Sequence, residues 1–463
     1  MKPIPSERIV ELAPRVAAEH KALSNDVVTE DGAALAFAER YRDLLRFDHD
    51  IGKWFVWSGT HWQAERTGLA FSWARDLVRE MAEDAPNKTR LISSKVSFAG
   101  GVEKFARTDR AFAVTADIWD RDLYLLGTPG GTVDLRTGEL RPAAPADFIT
   151  KQTAVAPADK PDCPRWHQFL REATNNDDGL IAFLKQFCSY ALTGDIKEHA
   201  LMFVHGDGGT GKSKFQNAVA GVLRDYCTTA AMETFTASNT DRHTTEVAML
   251  RGARLVIASE TEEGRAWAES RIKRITGGDP ITARFMRQDN FTFLPQFKLL
   301  LIGNHKPTLR NVDNAARRRF NIVPFTHKPP IPDGDLEAKL ANEWPGILRW
   351  MIEGCLIWQR AGLVRPQVVL EVTSEYFEEQ DLIRQWVEER CETGRATLSD
   401  TSANLFKSWT AWAIANGEKP GTSMRLSEAL QKQGFKPYRS SRARGFRGIE
   451  AKPEPVRAHW SDQ

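Results

Sequence analysis

A short glycine-rich run in the middle of the chain has the residue types and spacing needed to hold a triphosphate. Residues 206–213 read GDGGTGKS, between the apolar run LMFV and the helically spaced run KFQNAVAGVL. Glycines allow backbone N–H groups to close around a phosphate at the positive end of a helix. Lys212 can then reach the β- and γ-phosphates, and the Ser213 hydroxyl can ligate Mg²⁺. The predicted nucleotide-binding residues are Gly206, Gly208, Gly209, Thr210, Gly211, Lys212 and Ser213.

A carboxylate that could complete a metal site follows downstream. The apolar run 255–258 predicts a strand, and Glu260 comes just after it, with Glu262 and Glu263 close behind. At the end of a strand beside the glycine-rich loop, Glu260 could bind Mg²⁺ or orient an attacking water. The alternative is a solvated acidic loop that binds nothing.

Asn304 is a further candidate because of where it stands. The run LLLI at 299–302 predicts a buried strand, and Gly303 and Asn304 follow it. A buried strand gains nothing from an amide at its end. An amide can nevertheless donate and accept hydrogen bonds, and it carries no charge that would repel phosphate. Asn304 could therefore lie beside the γ-phosphate, whereas the alternative is a turn cap, since asparagine favours turns.

Two groups of arginines could contact anions. Arg317, Arg318 and Arg319 directly precede the apolar run FNIVPF, and an arginine held at a strand entrance could stabilise charge on a neighbouring subunit's nucleotide. Upstream, ITARFM and NFTFL predict two strands joined at 287–290, so Arg287 would lie at a hairpin tip that could touch a nucleic acid strand. The alternatives are a solvated basic turn and an ordinary surface hairpin.

The tail of the chain concentrates positive charge. Residues 424–463 include nine Lys or Arg and four Asp or Glu, a local net charge of +5 in a chain whose total is +2. Tyr438 and Phe446 lie among arginines that could grip a DNA backbone. These arginines are Arg439, Arg442, Arg444 and Arg447. The alternative is a basic tail that only aids solubility.

The composition excludes several classes of protein. With 463 residues the chain is long enough for roughly two to four domains, and its near-neutral charge favours no partner by itself. The five cysteines include no CxxC pair, which indicates reduced thiols in a cytosolic protein rather than a zinc or disulfide framework. The start, MKPIPSERIVELAPR, has no signal-peptide pattern, and no apolar run approaches the roughly 20 residues of a membrane span. We expect a cytoplasmic protein with no membrane partner.

The apolar pattern divides the chain into six parts. A helical extension (1–40) and a mixed α/β domain (41–157) precede a proline-rich linker and a helical collar (165–197). The core (198–328) alternates strands and helices, which is the pattern of a parallel α/β sheet. A helical extension (335–364) then leads to a tail (365–463) in which helices precede a short basic hairpin, as in a winged helix.

The order of these runs resembles a known family. GDGGTGKS, ASETEEGR, KRITGGDPITAR, LLLIGNHKP and RRRFNIVPF, with 98 positions from Gly206 to Asn304, look like the motifs of a superfamily 3 helicase. The resemblance is narrower to the helicase part of phage and plasmid primase-helicases and the related poxvirus helicase-primase. The upstream run GTPGGTVDLRTGEL is also similar to the region before the helicase in that family. The likeness covers residues 45–330 well and the tail more loosely.

The resemblance implies an α/β fold with an AAA+-like P-loop core that assembles into a ring, usually a hexamer, with an N-terminal mixed α/β region and a C-terminal winged-helix-like domain. Ser259 precedes Glu260 where many members have a second acid, so Glu262 or Glu263 would have to supply it. Arg287 matches the tip of the DNA-contacting hairpin by position alone. By this resemblance Lys212 and Ser213 are the phosphate-loop residues, Glu260 is the acid and Asn304 is the sensor. Arg319 is the best match to the arginine finger, and Arg318 is the next best.

The function implied by the resemblance is an ATP- and Mg²⁺-dependent replicative DNA helicase of phage or mobile-element origin, moving 3′ to 5′ on single-stranded or forked DNA. Family members often carry a primase-polymerase domain ahead of the matched region, which here begins near residue 45. We therefore expect no primer synthesis and a separate primase or polymerase as partner. Two alternatives stay open: an ATPase that moves duplex DNA for packaging or transposition, and a non-catalytic origin-binding loader, which the candidate acid and finger disfavour.

Overall fold

The computed structural model describes residues 28–237, 244–259, 265–284, 290–309, 314–329, 332–379, 382–395, 397–439 and 443–453. Most of the predicted N-terminal helical extension, residues 1–27, lies outside these stretches. Among the helices within them, none combines the length and the hydropathy that crossing a bilayer would require. All five cysteines are free thiols, as their spacing predicts.

The N-terminal part combines a small mixed sheet with four helices. Helix α1 (Glu30–Tyr41) begins where the Thr29 hydroxyl accepts a hydrogen bond from the Gly32 N–H at 3.0 Å. The sheet has the order β3-β2-β1-β4, in which β1 is antiparallel to β2 and parallel to β4. Phe37, Leu77 and Val102 from the helices meet Phe47 and Trp54 from the strands in one core. The elements after α1 are β1 (Leu45–Asp48), β2 (Lys53–Trp57), β3 (Trp62–Ala64), α2 (Leu69–Met81), α3 (Asn87–Ser93), α4 (Val96–Thr108) and β4 (Ala113–Val114).

A three-stranded antiparallel sheet and two helices connect this part to the central sheet. They are β5 (Leu125–Thr128), β6 (Gly131–Asp134), β7 (Glu139–Arg141), α5 (Pro164–Ala173) and α6 (Asp178–Tyr190). Helix α6 begins at Asp177, whose carboxylate accepts the Leu180 N–H at 2.9 Å. Trp166, Phe183 and Phe187 are buried on the apolar faces of the two helices, which therefore pack as a base beneath the sheet.

The central sheet contains five parallel strands in the order β14-β8-β13-β10-β9, so the predicted parallel α/β architecture is confirmed. Its four longer strands are buried on both faces, which explains their nearly continuous apolar sequences. Strands β11 and β12 form a separate antiparallel hairpin. The elements are β8 (Leu201–His205), α7 (Lys212–Leu223), β9 (Cys227–Thr229), α8 (Thr244–Ala248), β10 (Leu255–Ser259), α9 (Glu269–Gly277), β11 (Ile281–Ala283), β12 (Phe291–Phe293), β13 (Lys298–Gly303), α10 (Asn314–Arg319) and β14 (Phe320–Pro324).

Strand β13 lies between β10 and β8 and pairs with both of them. Parallel strands are joined by long crossovers, so neighbours along the chain need not be neighbours in the sheet. The strand that ends before Asn304 is therefore the one beside β8.

Two buried cations tie the amino edge of the central sheet to the elements beneath it. The Arg254 guanidinium donates to the carbonyl oxygens of Leu192 (2.5 Å) and Leu125 (2.7 Å). The Lys298 ammonium donates to the Thr193 carbonyl oxygen at 2.5 Å, and burial holds the pKa of Lys298 well below its usual value. Carbonyl oxygens just after a helix end attract cations. These contacts therefore fix the end of α6 against the first residues of β10 and β13.

The C-terminal part consists of helices and short antiparallel ladders, and two of its strands, Cys391–Thr393 and Ser399–Thr401, precede its last two helices. Its last unit has its own core around Trp386, Trp409 and Phe446. The ladders have the orders β16-β18-β17 and β15-β19. The elements are α11 (Leu336–Asn342), α12 (Trp344–Ala361), α13 (Gln367–Glu379), α14 (Leu382–Arg390), β15 (Cys391–Thr393), β16 (Ser399–Thr401), α15 (Ser402–Ala415), α16 (Ser423–Lys432), β17 (Lys436–Arg439), β18 (Arg444–Arg447) and β19 (Ile449–Ala451).

Candidate functional site at the carboxyl edge of the central sheet

A cavity of about 910 Å³ opens at the carboxyl edge of the central sheet. The glycine-rich loop and the first turn of α7 form one wall, and the ends of β10 and β13 contribute to the floor. Residues of helix α5 and of the segment before α11 complete the lining. Among the predicted loop residues only Gly206 is absent from the lining, which includes Gly208, Gly209, Thr210, Gly211, Lys212 and Ser213 together with Asn304.

Two glycines of the loop are required by space and by backbone geometry. Gly211 caps α7 with a φ of +88°, and a Cβ there would lie 2.8 Å from the Phe169 ring. A Cβ at Gly206 would collide with the Phe325 carbonyl oxygen, because the Phe325 N–H donates to His205 at 2.7 Å and holds the chain against the loop. Both positions therefore need glycine for the loop to turn tightly above the start of α7.

The Lys212 side chain folds back over the loop. Its ammonium donates to the carbonyl oxygens of Gly206 (2.5 Å) and Asp207 (2.6 Å). Burial is the main cause of a lowered pKa for Lys212, which the Asp207 carboxylate partly offsets. A buried ammonium bound only to neutral oxygens gains strongly from an anionic partner. The arrangement therefore suits a phosphate group, which would raise the pKa of Lys212 again.

The predicted metal ligands are placed in part. Ser213 follows Lys212 in the first turn of α7 and lines the cavity. Ser259, the last residue of β10, lines the same cavity from the floor. Glu260 follows Ser259 directly, but Glu260, Glu262 and Glu263 lie outside the described residues.

Asn304 lies close to the start of the glycine-rich loop. Strand β13 ends at Gly303, which is paired with His205, the residue that precedes the loop. Asn304 is exposed in the wall of the cavity that also contains Lys212 and Ser213. Burial, and then the nearby Lys306 and Lys212, lower the pKa of His205, which favours a neutral imidazole beside the loop.

Three charged residues that line the cavity were not predicted. Arg165 donates to Glu172 on the same helix at 3.4 Å and lies 3.6 Å from the Asp333 carboxylate. These ion pairs join α5 to the segment before α11. The seven-residue spacing of Arg165 and Glu172 is a weak signal that they share a helix face. Asp333 gives no such signal, because its contact with Arg165 joins distant parts of the chain.

The predicted finger arginines lie at the other edge of the sheet. They belong to α10, which ends where β14 begins, and β14 runs beside β8 with Phe320 opposite Leu201. Arg319 donates to the Thr276 hydroxyl (3.2 Å) and to the Ala315 carbonyl oxygen (2.9 Å). Arg318 is exposed. The five residues of β14, at about 3.3 Å each, place these arginines about 17 Å from the loop of their own chain.

The two predicted DNA-contacting groups are also placed in part. Strands β11 and β12 pair as an antiparallel stem, as predicted, but Arg287 lies outside the described residues. Arg442 lies outside them as well. On the C-terminal ladder Arg444 pairs directly with Arg439, and Arg447 pairs directly with Lys436. Like charges opposite each other destabilise a ladder. The presence of these two pairs in the ladder therefore calls for an explanation outside its own stability.

Two sequence families match the chain. The family described as "D5 N terminal like" matches residues 34–175, and a family of unknown function (DUF5906) matches residues 204–319. Among curated relatives, "Putative helicase L207/L206" of Acanthamoeba polyphaga mimivirus is 25% identical over 336 residues, which cover 67% of this chain and 35% of the relative. "Putative helicase 022R" of Frog virus 3 (isolate Goorha) is 25% identical over 260 residues, which cover 51% of this chain and 27% of the relative.

A solved structure shares the fold. The apo structure of the NrS-1 C-terminal region aligns with a TM-score of 0.50 at 9% identity, covering 88% of this chain and 96% of the other. At that identity the likeness concerns the fold alone. The chain spans about a third or less of the curated relatives' length, so the expected lack of a primase domain stays a prediction.

We predict that Asn304→Ala leaves nucleotide binding within about threefold of the unchanged chain and slows hydrolysis by about 10²-fold or more, because one oriented hydrogen-bonding group near transition-state charge is worth that much. Binding of a fluorescent ATP analogue and phosphate release would measure the two steps separately. Asn404→Ala, on α15, is the matched control. Normal hydrolysis by the Asn304 variant would show that this residue is only a turn cap.

Proposed function

We propose that this chain is a D5-like helicase of superfamily 3, which hydrolyses ATP with Mg²⁺ and uses the energy to separate DNA strands. The observation that carries the proposal is the single cavity in which the buried ammonium of Lys212, the Ser213 hydroxyl and the Asn304 amide meet. The site that is formed by the glycine-rich loop, the start of α7 and the uncharged Asn304 amide favours a triphosphate over a neutral ligand.

Each residue of the cavity has a distinct role in this proposal. The loop N–H groups and Lys212 hold the β- and γ-phosphates, and Ser213 is a ligand of Mg²⁺, which neutralises charge on the transferred phosphoryl group. Glu260 completes the metal site or orients the attacking water. Asn304 holds that water and the γ-phosphate in register without adding negative charge.

The position of the arginines favours assembly of several subunits. Arg318 and Arg319 lie about 17 Å from the loop of their own chain, farther than an arginine side chain extends. They can therefore act only on the nucleotide of a neighbour, as an arginine finger supplied in trans. A head-to-tail contact that closes on itself forms a ring. We propose an AAA+-like ring, a hexamer by resemblance, that moves 3′ to 5′ along single-stranded DNA.

The C-terminal ladder is the proposed second DNA contact, in a winged-helix-like domain. Its like-charged pairs, Arg439 with Arg444 and Lys436 with Arg447, each oppose folding by a few tenths of a kcal/mol to about 1 kcal/mol. A phosphate backbone removes this repulsion, because it places negative charge between the cations. By resemblance, the protein has a phage or mobile-element origin, and a separate primase or polymerase works with it.

We predict that the chain releases the labelled strand of a forked duplex when ATP and Mg²⁺ are present, and that Lys212→Met abolishes this release because the phosphate contact is lost. Strand displacement followed by gel or fluorescence would measure it. ATP hydrolysis stimulated by duplex DNA without release of a strand would favour the duplex-moving ATPase. Assembly on ATP with no hydrolysis at all would favour the loader.

We predict that Lys212→Met and Arg319→Ala are each inactive alone and recover activity when mixed. Random mixing in equal amounts leaves about a quarter of the sites with an intact loop from one subunit and an intact arginine from its neighbour. The ATPase rate of mixtures at fixed total protein would measure this. Mixing Lys212→Met with Asn304→Ala is the control, because both changes affect the same subunit's half of the site. A mixture of Lys212→Met with Arg318→Ala tells which arginine acts.

We predict that Arg444→Ala and Arg447→Ala each weaken binding of single-stranded DNA and reduce the slope of log affinity against log salt by about 0.7, the value for one lost phosphate contact. Fluorescence anisotropy at several salt concentrations would measure the slopes. Lys407→Ala, an exposed lysine on α15 of the same unit, is the control. An unchanged slope would show that the basic ladder serves only solubility.

A further inference from the structure

Helices α3 and α4 present apolar side chains on a face that no described residue of the chain covers. Leu91 is 72% exposed and Val96 is 77% exposed, and Ile92 and Phe105 are exposed as well. The only buried residue of α3 is Ser93. A short helix is normally held by an apolar stripe that faces the core. The apolar residues of α3 face outward instead, which indicates that a partner completes their packing.

The same face is positively charged. Residues 87–108 contain five Lys or Arg and one acidic residue, Glu103. Glu103 is buried and already accepts from Trp54 (2.7 Å) and Arg107 (2.8 Å). The other four cations, which form no ion pair within the described part of the chain, are Lys88, Arg90, Lys95 and Lys104. A complementary surface would therefore be acidic and partly apolar.

Helix α13 has that composition. It contains four glutamates and no Lys or Arg, and Leu370 beside them is 46% exposed. Glu371, Glu375 and Glu378 recur at the spacing of one helix face. None of the four glutamates forms an ion pair with a described residue, although α10 with its three arginines lies nearby. A cavity of about 430 Å³ opens beside this face, and its lining combines Leu370 and Phe377 with Glu371 and with the arginines Arg317 and Arg365.

We propose that the basic, apolar face of α3 and α4 on one copy of this chain packs against the acidic face of α13 on the next copy. The two faces are different surfaces, so the contact is head-to-tail and repeats around a ring. The inference rests on the ring assembly of the proposed function. It adds a second contact between neighbouring copies, away from the nucleotide. DNA would satisfy the cations alone, whereas exposed Leu, Ile and Val side chains are matched by a protein surface.

Gly100 is consistent with a close contact on this face. It lies in the middle of α4, where glycine costs about 1 kcal/mol relative to alanine. A Cβ at Gly100 would meet no described atom within 4 Å, and its φ is not positive, so the described part of the chain gives no reason for glycine there. The neighbouring Gly101 has such a reason, because a Cβ would meet the Glu30 carboxylate. Bare backbone at Gly100 allows a partner helix to approach closely.

The test is a charge exchange between the two faces. Lys88→Glu with Arg90→Glu reverses the basic face, and Glu371→Lys with Glu375→Lys reverses the acidic face. Each double variant should raise the protein concentration needed for half-assembly about tenfold or more, since opposed like charges cost over 1 kcal/mol. All four changes in one chain should restore assembly to within about threefold of the unchanged chain, because the pairs are again of opposite sign.

Assembly would be measured by sedimentation velocity with Mg²⁺ and a non-hydrolysable ATP analogue, and circular dichroism would report folding. Lys53→Glu with Arg66→Glu is the matched control, since both are exposed cations of the same part outside α3 and α4. Reversals that behave like this control, or a four-residue exchange that assembles no better than the double variants, would overturn the proposal while leaving the ring intact.

The remaining outcomes distinguish this contact from the ring assembly itself and from nucleic-acid binding by the same face. An unchanged chain that stays monomeric with nucleotide and DNA would contradict the ring of the proposed function and this contact with it. Loss of DNA binding by the Lys88 and Arg90 variant, with assembly unchanged, would show that the face takes nucleic acid and would overturn the contact between copies. Leu91→Ser with Val96→Ser should weaken assembly as well, and should do so at every salt concentration, because apolar contacts are not screened.

Discussion

All five strands of the central sheet run in the same direction, and this constraint gives the molecule two chemically different edges. At the carboxyl edge every strand ends in a loop, and the glycine-rich loop, Ser259 and Asn304 meet there in one cavity. At the amino edge the strands begin, and the arginines of α10 lie there. Because the edges are one strand length apart, one chain cannot bring both to the same nucleotide. This separation is the reason why the proposed function requires an assembly of several chains.

The amino edge must be rigid for this separation to be useful. Arg254 and Lys298 make it so, because each buried cation donates to carbonyl oxygens beneath the sheet. Removal of one partner from a buried, hydrogen-bonded charge is strongly destabilising. These contacts therefore fix the positions of β10 and β13 along the strand direction. The ends of those strands carry Ser259 and Asn304. A shift at the amino edge would consequently move the cavity floor by the same amount, since a strand is stiff along its length.

The part of this arrangement that depends on local sequence signals could be predicted from the sequence. The part that depends on long-range contacts could not. The position of Lys212 and Ser213 at a helix start after a strand could be predicted because their loop is encoded within a few residues. Asn304 was expected in the same site from one short run, and it does line the cavity. The order of strands was missed, since nothing local states that β13 inserts between β8 and β10. The Arg165–Asp333 ion pair was missed for the same reason.

Surfaces for partners can be recognised where the fold of the isolated chain conflicts with local preferences for burial, charge pairing or helix formation. Sequences usually agree with their fold at every level, and exceptions tend to mark functional sites. The lysine of the cavity is buried with only neutral acceptors, and the C-terminal ladder sets Arg444 against Arg439. Leu91 of helix α3 is exposed, and Gly100 of α4 is a glycine that no contact with a described residue requires. In our proposals each exception is removed by a different partner: a triphosphate, a DNA backbone and a second copy of the chain. The energy lost to each conflict is small beside the stability of the whole, so it can persist until the partner binds.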